Sequence, residues 1–270
     1  MALLTLPRWS RRLLTALALG LGLAAATLPA LAQTQTPSSG LTAEQRKAVV
    51  ALIRETLLQN PELIQEAMVE LERRNAVAQA DAQRSAVTAE MARLIDPKTS
   101  AIVGNPQGDV TIVEFMDYNC GFCKRAVEDV RALAKDDPKL KVVIKDFPIL
   151  GPDSVEASRV AVAAMTQLTG AKYFDFHNKL MATKGRINGA KALEVAKEAG
   201  ADVERLKKDM DSAQTRAVIE DTVALGDRLG LTGTPAFILG EEVVFGAVGV
   251  PALKQKIDSV RKCGKATCNG

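Results

Sequence analysis

Aromatic residues make up only 4% of this 270-residue chain, with one Trp and two Tyr. So thin a set excludes an aromatic platform for stacking bases or sugars. A single histidine, His177, and no second cysteine pair at finger-like spacing leave no donor set for a zinc finger. There is no Walker loop, no dinucleotide fingerprint and no internal repeat. A surplus of either charge is missing as well. The 35 Lys and Arg face 32 Asp and Glu, and three of the basic residues, Arg8, Arg11 and Arg12, stand in the first dozen positions, well before the first acid at Glu44. Without residues 1–32 the two signs are equal at 32 each, and a neutral chain has no electrostatic footprint for nucleic acid.

Long apolar runs are also scarce. The one run of note, Leu13 to Ala26, is broken by Gly20 and Gly22 and is shorter than the roughly 20 residues a membrane span needs. Preceded by three arginines and followed by Ala30-Leu31-Ala32, it reads as a secretory signal peptide over residues 1–32, cut before Gln33. The expected location is a bacterial periplasm, where disulfides persist. In an exported chain the four cysteines become the main chemical clue.

Residues 33–40 (QTQTPSSG) read as a flexible linker. Thr42-Ala43-Glu44-Gln45 has the spacing of a capping box. The helix it opens carries Val49, Leu52, Ile53, Thr56 and Leu57 on one face. A second helix begins at Asn60-Pro61, with Leu63, Ile64, Ala67, Met68 and Leu71 on one side, and then runs through Ala, Gln, Arg and Glu to Leu94. If continuous it is about 50 Å long. Residues 41–95 are therefore read as a helical arm whose apolar stripe joins copies of the chain; a two-helix decoration lying on the main domain is the alternative.

From 96 to 270 the pattern changes. Val110–Met116 is a nearly continuous β-branched run, the mark of a central strand covered on both faces. A helical stretch reaches Lys135, a second strand spans Leu140–Lys145, and helical patterns fill about 153–229. Short strands at Ala236–Leu239 and Val243–Phe245 and a last helix opened by Pro251 complete the order.

Cys120-Gly121-Phe122-Cys123 stands where the first of these strands hands over to a helix. The free N–H groups and dipole of a helix N-terminus favour a thiolate at the first cysteine, and a second cysteine one turn on can resolve a mixed disulfide. A structural bridge is disfavoured, because so small a loop stabilises little. Glu114, six residues before Cys120 in an apolar strand, could exchange the proton of the second cysteine if it is buried; an edge-exposed glutamate is the alternative. Thr234-Pro235 stands at the entrance to a strand, where a cis bond would open backbone to an extended peptide and a trans bond would make a plain turn. Cys263 and Cys268 read as a structural disulfide pinning the tail, with a second redox pair or a soft-metal clip as alternatives. His177 reads as a packing residue.

The strand–CxxC–helix start, Glu114, the long helical insert and Thr234-Pro235 resemble the DsbA family of thioredoxin-fold proteins over about Ala101 to Lys262. The run Phe115-Met116-Asp117-Tyr118-Asn119-Cys120-Gly121-Phe122-Cys123-Lys124 is similar to the ScsC-like and outer-membrane-antigen-like branches, some of which carry N-terminal trimerising helices. The resemblance implies an α/β thioredoxin fold with an inserted helical domain and an N-terminal arm. It makes Cys120 the surface nucleophile, Cys123 the resolving cysteine, Pro235 the cis proline facing them and Glu114 the buried acid. Thr234 before that proline is similar to the disulfide isomerases. The strongly oxidising members hold Pro-His between the cysteines, and without that His weaker thiolate stabilisation is expected.

The reading is thus a periplasmic thiol–disulfide oxidoreductase of exported client proteins, isomerase-like, that needs no cofactor. Its partners are those clients, a membrane redox partner and further copies of itself. The alternative from another class is a periplasmic protein that holds Cu(I) between the two thiolates.

Overall fold

The computed structural model describes residues 40–268; the expected signal peptide and all but the last residue of the linker lie outside them. The chain divides into two compact units, Met1–Ile64 and Gln65–Gly270.

In the first unit, α1 (Ala43–Gln59) opens on the capping box: Gln45 N–H donates to Thr42 Oγ1 at 3.2 Å and Thr42 N–H to Gln45 Oε1 at 2.8 Å. No residue of α1 is buried, and Val49, Val50, Leu52, Ile53 and Leu58 are exposed. Asn60 closes α1 through its N–H and side chain on the Thr56 carbonyl, and α2 (Glu62–Leu94) starts one residue past Pro61.

The second unit is built on a sheet whose strands are ordered β1-β3-β2-β4-β5. β1 (Ala101–Gly104) and β2 (Val110–Met116) are followed by α3 (Gly121–Asp136) and β3 (Leu140–Asp146). The insert is α4 (Pro152–Ala164), α5 (Ala171–Ala182), α6 (Gly189–Glu198), α7 (Val203–Asp209) and α8 (Ala213–Arg228). β4 (Ala236–Leu239), β5 (Glu242–Phe245) and α9 (Val250–Cys263) close the fold. β2 and β3 pair in parallel and the other neighbours antiparallel, which is the thioredoxin arrangement with a helical insert. Strand β2 explains its own sequence. Ile112 and Met116 face one core with α3, the insert and α9, while Val113 and Phe115 face another with α8, so few positions are left for polar residues.

Two features differ from the sequence reading. β1 was not foreseen: four residues between turns give too short a run to show alternation. The arm also does not end at residue 95 as a free rod. Within the second unit, Val87 and Leu94 of α2 are fully buried with Phe115, Val143, Leu225 and Leu229, a burial worth about 2 kcal/mol for each side chain. Gln83 Nε2 donates to Leu229 O at 3.0 Å, and Glu90 pairs with Arg228 at 2.7 Å. The buried Lys145 donates from Nζ to Arg93 O at 2.9 Å and to Thr99 Oγ1 at 3.0 Å, capping the end of α2. The last three turns of α2 are therefore part of the second unit, held by Val87 and Leu94 with Ala86 and Met91 packed beside them.

Candidate active site

Strand β2 carries the chain to the end of the sheet, and Asp117–Asn119 turns it into α3. Cys120 is the N-cap of α3: its φ of −80° and ψ of 119° are extended, and its sulfur accepts the N–H of Cys123 at 3.4 Å. Both cysteines are free. Cys120 keeps 7% of its surface and Cys123 none, so of the two only Cys120 reaches solvent, through a narrow opening. Phe122 stands beside that opening, 58% exposed, with the Arg125 guanidinium 4.3 Å above its ring.

The opposite wall comes from β4. The pairing of Phe115 with Ala236 carries the segment just before β4 towards the dithiol end of β2. The Thr234–Pro235 peptide is cis, Pro235 is buried, and the Thr234 carbonyl accepts the Cys120 thiol at 3.2 Å.

The two thiols are pulled in opposite directions. The hydrogen bond from the Cys123 thiol, helped by Thr234 and by the N–H groups of Cys123 and Phe122, outweighs partial burial and draws Cys120 down to about 5. This lowering is supplied without a histidine between the cysteines. Burial, and then the bond to Cys120, pushes Cys123 far above the ordinary thiol range. Glu114, 1% exposed and with neither carboxylate oxygen hydrogen-bonded, is raised to about 8 by burial, with the negative charges of Asp129 and Cys120 adding to it. The arrangement provides a thiolate at the surface, a protonated thiol beneath it and a protonatable carboxyl within electrostatic reach of both.

Among the other residues singled out in the sequence, Cys263 and Cys268 are disulfide-bonded on the tail after α9. His177 is buried in α5, stacked on Phe174 and held neutral by burial, which pushes it down to about 3. It also does more than pack: its Nδ1 lies 3.2 Å from the hydroxyl of Tyr118, two residues before Cys120. The sequence reading missed Asp117, Asn119 and Ser154, a hydrogen-bonded group around the turn into Cys120. An Asp two residues before an Asn at a strand end, the spacing of an Asx turn, was the available signal.

Residues 111–258 match the DSBA-like thioredoxin domain family, and residues 45–78 match the model named for the copper resistance protein ScsC N-terminal domain. A thioredoxin-like oxidoreductase from Silicibacter pomeroyi is 40% identical, with 64% of this chain and 98% of that one covered at a TM-score of 0.60. The thiol–disulfide exchange protein α-DsbA2 of Wolbachia pipientis is 30% identical, with 68% and 98% covered at a TM-score of 0.63. A linker-deleted variant of Proteus mirabilis ScsC is 26% identical, with 83% and 98% covered at a TM-score of 0.62. A curated relative named as a Na(+)/H(+) antiporter, from Salinispora arenicola, is 27% identical over 167 residues. The alignment takes in 61% of this chain and 25% of that protein, so the chain spans about a quarter of the length of such relatives. Among the described residues no helix is long and apolar enough to cross a membrane.

Proposed function

Because the chain belongs to the DSBA-like thioredoxin domain family, we propose that it is a thiol–disulfide oxidoreductase acting on cysteines of exported proteins. The observation that carries this reading is the opposed pair of thiols, Cys120 drawn down and with a small part of its surface open, Cys123 pushed up and fully buried. The Cys120 thiolate attacks one sulfur of a client disulfide, forms a new S–S bond and releases the other client sulfur as a thiolate. Cys123 then gives up its proton and attacks Cys120 Sγ, breaking the Cys120–client S–S bond and releasing the second client sulfur as a thiolate. The enzyme ends as the disulfide and the client as the dithiol; reversing the steps oxidises a client. Glu114, when ionised, is the group placed to take the Cys123 proton, and Thr234 and Pro235 form the wall along which a client backbone lies.

Isomerisation is the favoured direction of use. Thr234 before the proline supports it, and so does the arm, because several sites on one assembly raise the local thiol concentration around a misfolded client. The exposed apolar residues of α1 and early α2, with the match of residues 45–78, support self-association. The basic and apolar leader supports the periplasm, where a membrane protein would reset the dithiol. The Cu(I) alternative rests on the two soft thiolates of Cys120 and Cys123, and the matched N-terminal model, named for a copper resistance protein, supports keeping it.

The test is trapping. Cys123→Ser accumulates mixed disulfides with exported proteins and Cys120→Ser does not; equal trapping by both removes the assignment. The arm is tested by removing residues 40–75, a cut that spares Gln83, Val87 and Leu94. Light scattering then reports a monomer with unchanged activity on small disulfides and reduced rescue of scrambled proteins. A full-length chain already monomeric at micromolar concentration defeats the isomerase argument.

A further inference from the structure

The turn between β2 and Cys120 is tied to the helical insert by a closed set of hydrogen bonds. Asn119 uses its whole amide: Nδ2 donates to Ile187 O at 2.8 Å and to Ser154 Oγ at 3.0 Å, and Oδ1 accepts the Ile187 N–H at 2.7 Å. Ser154, buried in the first turn of α4, donates its hydroxyl to Asp117 Oδ1 at 2.7 Å. Asp117 also accepts the N–H of Asn119 at 2.8 Å and of Leu150 at 3.0 Å. On the far side of the dithiol, Lys124 Nζ donates to Thr183 O at 2.8 Å and Gly185 O at 3.3 Å. Segment 183–187 of the insert therefore grips both flanks of Cys120–Cys123.

Resting on the reading of Cys120 as nucleophile, we propose that Asn119 is a positioning residue: by locking the backbone before Cys120 to Ile187 and Ser154, it keeps Cys120 Sγ aligned with the first turn of α3. Hydrogen bonds weaken steeply with misalignment, so the Cys123 N–H bond to sulfur, 3.4 Å long, depends on where the turn holds Cys120. Truncating Asn119 also leaves the buried Ile187 N–H without its partner, which drives segment 187 and the cysteine turn apart. Nothing nearby compensates. The titratable groups acting on Cys120 are Cys123 on α3 and Glu114 on β2, while Lys124 is committed to backbone carbonyls and Arg125 to the Phe122 ring.

The experiment is alkylation of Cys120 by iodoacetamide against pH, in the reduced full chain, for the parent, Asn119→Ala and Ser154→Ala. The parent titrates near 5. Asn119→Ala raises the midpoint by about one unit, about tenfold slower alkylation below it, with the high-pH plateau within about twofold of the parent. Ser154→Ala, which keeps the Ile187 bonds, shifts the same way by less. General damage would lower the plateau and leave the midpoint in place, and that result overturns the proposal. If Asn119→Ala does not fold, Ser154→Ala decides alone, and an unmoved midpoint again overturns it. An ordinary thiol midpoint in the parent itself defeats the nucleophile reading, and the proposal with it.

Discussion

The chain holds two cysteine pairs, each at one end of a helix, and the ends are opposite. Cys120 caps the N-terminus of α3, where its sulfur accepts a backbone N–H and lies close to a second thiol. Cys263 is the last residue of α9, followed by Gly264 at a φ of 76°, and its sulfur faces the Lys265 carbonyl at 3.6 Å, while Cys268 faces that of Ser259 at 3.5 Å. Cys120 faces a carbonyl as well, that of Thr234, so what separates the pairs is the N–H that Cys120 accepts and the sign of the helix dipole, which at a C-terminus repels a thiolate. Lys262 and Lys265 flank that pair but are exposed, so solvent screens them. The same kind of element thus holds a free dithiol at one end and a closed disulfide at the other.

The largest break in this comparison is the one already set by trapping: removal of Cys120 abolishes exchange, and removal of the tail pair does not. Glu114→Gln comes next. The ordinary carboxyl value is 4.5 and the folded value about 8. Below the first, both states are protonated and nothing is lost. Between them the unfolded chain releases a proton that the folded chain keeps, so stability falls as pH rises and levels off past 8. Cys120 works the other way: with a folded value of about 5 against 9.0, it stabilises the reduced form progressively across that window. In the disulfide form the Cys120 slope is gone, while His177, held at about 3 against 6.5, still adds a rise below 6.5 that parent and variant share. Asp146, raised to about 8 mainly by burial, adds a slope of the same sign as the Glu114 carboxyl, so the difference between parent and variant isolates Glu114. Urea unfolding of the oxidised forms should show Glu114→Gln gaining on the parent by a few kcal/mol, at most, from pH 4.5 to 8. Resolution of mixed disulfides should slow in the variant. A gap that does not change with pH contradicts the buried, unpartnered carboxyl.

What the sequence showed of this arrangement was its local part. The β-branched run of β2, the CxxC at its end, Glu114 within it and Thr234-Pro235 before β4 are short-range patterns whose chemistry shows in residue type and spacing. The insert was legible as helical periodicity. The grip on α2 was not, because it depends on Lys145 reaching Arg93 O from 52 residues away, and Val87 and Leu94 look incidental in a polar helix. The Asn119 lock was hidden for the same reason: its partners stand 35 and 68 residues off, and one of them is a main-chain group that any residue supplies.

The smallest effect concerns the tail, and it decides whether the second pair is only a staple. Cys263 and Cys268 are five residues apart, and closing so short a loop restrains the unfolded chain by about 2 kcal/mol. The tail has other anchors. Ala266 is buried against Gly240 at the β4–β5 turn, and Thr267 Oγ1 donates to Glu242 at 3.0 Å while Lys256 pairs with the same carboxylate. The doubly substituted chain, Cys263→Ser with Cys268→Ser, should therefore fold with its tail in place. Its unfolding free energy in urea should fall by about 2 kcal/mol or less with an unchanged slope, and its exchange rate on a small disulfide should stay within about twofold of the parent. A staple acts on the unfolded chain and has no reason to touch the thiolate at Cys120. Were the exchange rate to fall further than that, the tail pair would be passing electrons to the dithiol, and helix position alone would not separate the two.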